Sequence, residues 1–129
     1  MPSAQFSSTP KKNMTTETAK IYKLLKENTL KVSNNTYSFR IKKNIREYAY
    51  LGMTKSDKQR IYIMTGLNLE VLKDTLLHEV LHAIYHAQSL NQVSNLQDTE
   101  EYLVSVFATN IMQVIQDNPW FGEVLCLWS

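Results

Sequence analysis

Two histidines, His78 and His82, stand four residues apart, with a glutamate, Glu79, directly after the first. Neutral imidazole nitrogens bind zinc, and a carboxylate beside such an ion can take a proton from water. In a helix turning about 100° per residue, the two histidines lie only about 40° apart, one turn along the same face. Both rings can then reach one ion. Glu79 sits about 100° round from His78, where it can flank the ion as a general base without binding it. The chemistry implied is hydrolysis by water activated at a metal.

A catalytic zinc takes three protein ligands and keeps one position for water. His86 follows His82 by four, but three successive turns of a straight helix diverge from a common point. No glycine breaks the segment to swing a third histidine back, and the later position used by some zinc proteases holds Gln88. His86 therefore reads as a supporting or surface group. Glu100 and Glu101 are the better ligands, since residues 83–100 suffice to finish one helix and lay a second beside it. With Asp98 as N-cap, however, Glu101 would equally complete a capping box. Spacing alone leaves the third ligand open.

The elements that must position these groups are legible in outline. The spacing of Ile21, Leu24 and Leu25 predicts a helix from Thr15 or Thr16 to about Thr29. Tyr37, Phe39 and Ile41 alternate with Ser38 and Arg40, which predicts a half-buried strand over Thr36 to Ile41. Ile45 to Met53 suits a second strand and Arg60 to Thr65 a third, separated by the turn residues Lys55 to Lys58. The short gaps favour an antiparallel meander. Two long helices follow, from about Leu69 to Gln88 and from about Thr99 to Gln116. Asn68 caps the first, with Leu67 placed to staple onto Leu72, and Asn118-Pro119 stops the second. Leu69, Leu72, Leu76, Val80, Ala83, Ile84 and Ala87 gather on the side of the first long helix away from its histidines. One face is core and the other carries the chemistry. The fold class is α+β, with a small, three-stranded, mainly antiparallel sheet.

Composition supports one packed domain. The chain has 129 residues, 43% of them hydrophobic and 20% charged. Residues 1–14 are poor in large apolar side chains and read as a flexible tail, leaving 15–129 as the domain. A net charge of +2 carries no nucleic-acid signal, and no apolar run approaches a membrane span. The single cysteine, Cys126, cannot form an internal disulfide and reads as a free thiol. With no signal peptide visible, a cytoplasmic protein is expected.

The stretch Asp74-Thr75-Leu76-Leu77-His78-Glu79-Val80-Leu81-His82-Ala83-Ile84, then Glu100-Glu101, then Met112 to Pro119, resembles the small phage- and prophage-encoded gluzincins. These are minimal zinc metallopeptidases distantly similar to ImmA/IrrE-type proteins. Asp57 to Ile63 also resembles the strand preceding the active-site helix of that group. The resemblance covers residues 50–119 and implies a minimal zincin-like domain, with host cytoplasm as its location. It implies His78, His82 and Glu101 as zinc ligands and Glu79 as the base of a zinc-dependent endopeptidase. One turn beyond the third ligand, longer gluzincins often carry a carboxylate that supports the first histidine. Here that place holds Ser105, with Asp74 as a substitute.

The resemblance also implies an extended peptide or protein substrate added to the exposed sheet edge at Arg60–Thr65. Tyr48, Tyr85 and His86 are the side chains chemically able to stabilise the oxyanion. The alternative expectation is a zinc-containing protein-binding module with a zincin fold and little or no proteolysis. Neither nucleic acid nor membrane is an expected partner, and the sequence does not give an oligomeric state.

Overall fold

The computed structural model describes residues 15–46, 49–88 and 99–127, with the backbone alone at 99–101. The expected tail, residues 1–14, lies outside them. The order is α1 (Thr16–Glu27), β1 (Leu30–Val32), β2 (Asn35–Lys42), β3 (Gly52–Lys55), β4 (Arg60–Met64), α2 (Leu69–Ala87), α3 (Thr99–Asp117) and α4 (Pro119–Leu125). The α+β class is as expected, and no helix among the described residues is long and apolar enough to cross a membrane.

The sheet differs from expectation. It has four strands rather than three, in the order β1-β2-β4-β3, and it is mixed. β1 pairs antiparallel with β2, β2 pairs parallel with β4, and β3 pairs antiparallel with β4. Leu30–Val32 is too short to show a period. It becomes a strand because Ser33, at φ 59°, turns the chain sharply into β2. The second strand is also displaced, from Ile45–Met53 to Gly52–Lys55, and all four of its residues are half-buried.

The meander fails because the most apolar strand takes the interior. Ile61, Ile63 and Met64 of β4 are buried, whereas β3 offers only Gly52, Met53, Thr54 and Lys55. An interior strand is flanked on both edges, and its inward side chains lie mid-core, so burial free energy favours placing β4 between β2 and β3. Arg60–Thr65 is therefore not the exposed edge expected to receive a substrate. The free edge on that side of the sheet belongs to β3.

α2 follows the sequence closely. Asn68 caps it through Oδ1, which accepts from the Val71 amide at 2.9 Å, and Leu67 and Leu72 are both buried. Leu69, Leu72, Leu76, Val80, Ala83 and Ile84 are buried with the inner residues of the sheet. α4 was not expected, since Pro119 reads as a stop. It is also a favourable first helical residue, which lets a new helix begin there. Phe121 enters the core completely, and Trp120 stands edge-on to Phe39 with ring centroids 5.7 Å apart.

Tyr22 ties α1 to the start of α2. Its hydroxyl donates to the Met64 carbonyl and accepts from the Leu67 amide at 3.2 Å. Burial pushes its pKa up to about 12, opposed in part by the Leu67 bond. A raised tyrosine pKa contributes stability that is present below the unfolded value near 10 and lost as pH rises toward 12. That loss should reach about 2–3 kcal/mol in denaturant titrations. Tyr22→Phe should remove the alkaline decline while costing about 1–3 kcal/mol at neutral pH, because two main-chain groups lose their partner. An unchanged alkaline decline in the variant would refute this account.

Candidate metal centre

α2 carries the two histidines on its outer face, one turn apart. Their Nε2 atoms face each other at 3.2 Å and their ring centroids lie 4.8 Å apart. Zinc bound at about 2.0–2.1 Å by two nitrogens in tetrahedral geometry sets those nitrogens about 3.3 Å apart. The pair already has the bite of a chelate. His82 is exposed, yet enough protein backs its ring that partial desolvation holds its pKa below the ordinary histidine value, with Glu79 pulling the other way. A neutral imidazole is the form that binds a metal.

Glu79 lies where α2 meets β3 and is only 4% exposed. The Thr54 hydroxyl is 2.7 Å from its Oε1 and 3.0 Å from its main-chain carbonyl, with geometry suited to donating to either. This holds the carboxylate on the side of the helix next to the strand. The approach of β3 is close because residue 52 is glycine. A Cβ there would fall 2.8 Å from Thr75 Cγ2 and about 3 Å from the Glu79 side chain. Gly52 thus marks a close backbone approach rather than a strand end.

His78, Glu79 and His82 line an open groove of about 780 Å³, walled opposite by residues 50–57. A smaller depression of about 240 Å³, lined by His78, Leu81, His82, Tyr85 and Phe107, joins the same histidines to α3. Its walls are mainly apolar side chains.

The other residues singled out by sequence fall as follows. Glu101 lies in the first turn of α3, but its side chain, like that of Glu100, is outside the described residues. Among the described residues, no group of three or more His, Cys, Asp or Glu side chains could hold a metal. The donors brought together are therefore the two histidines, and their spacing and chemistry fit zinc. His86 is exposed at the groove, with its ring edge-on to Tyr85. Tyr85 lines the apolar depression together with His78 and His82. Asp74 is exposed and forms no hydrogen bond to His78, and Ser105 is exposed on α3 and lines neither cavity. Tyr48 is outside the described residues. Cys126 is an exposed free thiol.

Sequence reasoning missed Thr54 and the role of Gly52. Glycine and threonine two apart on one strand share a face, which is the only local signal that β3 abuts a helix. Comparison with protein-family models, curated proteins and solved structures finds no match to this chain, so its reading rests on its own residues and geometry.

Proposed function

We propose that the protein is a zinc-dependent endopeptidase of gluzincin type, with a minimal zincin-like fold. The observation that carries this reading is the pair of Nε2 atoms at chelating distance beside a buried, hydrogen-bonded Glu79, all opening on a strand-edged groove. His78 and His82 would hold the ion, with Glu101 as the third ligand. Zinc supplies Lewis acidity toward a carbonyl and makes nearby water more acidic.

The rest is the work of the chain. Glu79 takes the proton from the attacking water and delivers it to the leaving amine. Thr54 keeps the carboxylate aimed by bonding one oxygen and leaving the other for water. β3 aligns the substrate. Leu51 O accepts from Met64 N, so alternation along the antiparallel pair turns the main-chain groups of Gly52 and Thr54 toward the free edge. An extended peptide can add there as a further strand. The depression beside Leu81, Tyr85 and Phe107 suits an apolar substrate side chain next to the cleaved bond.

Protein purified without chelators is expected to contain about one zinc per chain by elemental analysis. His82→Ala should reduce that at least tenfold, because the paired imidazoles are lost and only His78 and Glu101 would remain to hold the ion. The loaded protein should cleave an unfolded polypeptide, stop with chelator and resume with added zinc. Zinc bound without cleavage would instead support a zinc-containing binding module.

A further inference from the structure

The sheet carries its apolar core on one face. Tyr37 and Phe39 of β2 are buried and Ile41 is half-buried, so alternation turns Ser38, Arg40 and Lys42 to the opposite face. The cross-strand register then places Arg60 and Tyr62 of β4, and Met53 and Lys55 of β3, on that same outer face. Four cations share it, and those strands contribute no carboxylate to it. None of these four forms an ion pair with a described neighbour, unlike Lys23 of α1, which pairs with Glu27. Arg46, exposed in the turn before β3, adds a fifth charge over the Tyr50 ring at 5.8 Å.

This charged face is continuous with the groove. An outer depression of about 300 Å³ is lined by Lys42, Arg46, Met53, Lys55 and Tyr62 among others. Arg46, Met53 and Lys55 also line the groove over His78 and Glu79. β3 is the shared ridge. A polypeptide extended along its free edge turns alternate side chains toward α2 and toward the cations. Among the described residues, Asp57, in the turn beyond β3, is the one carboxylate besides Glu79 that lines the groove.

We infer that the ligand of this groove is an acidic peptide segment, its main chain along the edge of β3 and its Asp or Glu side chains against Arg46 and Lys55. Lys42 and Arg60 extend the same field across the outer face. The inference rests on the peptidase reading for the location of the peptide and adds the class of its side chains. A nucleic acid would meet the cations but not the edge. Its phosphates accept from the Gly52 and Thr54 amides, yet they offer no donor to the two carbonyls beside them. A polypeptide satisfies both.

The test uses the full chain carrying Glu79→Gln, so that binding is read without cleavage. Anisotropy of a fluorescein-labelled peptide of alternating Glu and Thr is compared with its Lys-for-Glu counterpart. The acidic peptide should bind at least about tenfold tighter, and less so as salt is raised. Adding Arg46→Glu and Lys55→Glu together, with circular dichroism and zinc content unchanged, should abolish or reverse that preference. Equal binding of the two peptides, a preference insensitive to salt, or a thymidine oligonucleotide that outcompetes the acidic peptide would each overturn the inference. Preference for the acidic peptide without cleavage by the native chain sinks the peptidase reading alone. Cleavage without such preference sinks only the inference.

Discussion

Glu79→Gln is expected to lower peptide cleavage by about two to four orders of magnitude while leaving zinc content and fold unchanged. The amide has the shape of the carboxylate and keeps an oxygen that can accept from the Thr54 hydroxyl, so the contact between α2 and β3 survives. What it lacks is the basicity to take a proton. The metal is unaffected because His78 and His82 turn their rings to each other, whereas Glu79 is bonded toward the strand. Stability should change little, since a neutral group replaces an ionisable one at a site only 4% exposed. Two readouts on one sample decide the matter. Cleavage that persists at the native rate removes Glu79 from the chemistry. Zinc lost together with activity makes it a ligand instead of a base.

How much of this was readable in sequence depended on how local each feature is. The 19-residue α2 announces itself through its cap at Asn68 and a continuous apolar stripe, and the histidine pair follows from helical geometry alone. Thr54 lies 25 residues from Glu79, and only the placement of β3 brings them together. That placement was not legible, because four half-buried residues show no alternation. The parallel pairing of β2 with β4 was equally hidden. It depends on which strand is apolar enough for the interior, a comparison among strands rather than a pattern within one. Gly52 was visible but ambiguous, since the same residue serves a turn or a close approach.

Among the described residues, the polar contact of longest range is the one whose loss should unfold the protein most readily. Asn118 is buried between α3 and α4, and its side chain reaches the outer edge of β1. Oδ1 accepts from the Lys31 amide at 2.9 Å, and Nδ2 donates to the Lys31 carbonyl at 2.9 Å and to the Val114 carbonyl at 2.8 Å. The amide thus pairs with Lys31 as a neighbouring strand would, and it closes an edge that would otherwise be open. In sequence, Asn118-Pro119 reads only as a helix stop; the fold also uses the asparagine as a lock. Asn118→Ala should cost about 2–4 kcal/mol, because it leaves the part-buried Lys31 amide and carbonyl without their partner. Asn118→Asp keeps an acceptor for the Lys31 amide but sets carboxylate oxygen against two carbonyls, so it should not restore stability. Urea titrations should show a lower midpoint with an unchanged slope for both variants. The His78–His82 pair is on a different helix, so at temperatures where the variants remain folded their zinc content should equal that of the native chain. A cost below about 0.5 kcal/mol for Asn118→Ala would mean that water replaces the side chain at Lys31 and that β1 is held by its apolar residues alone.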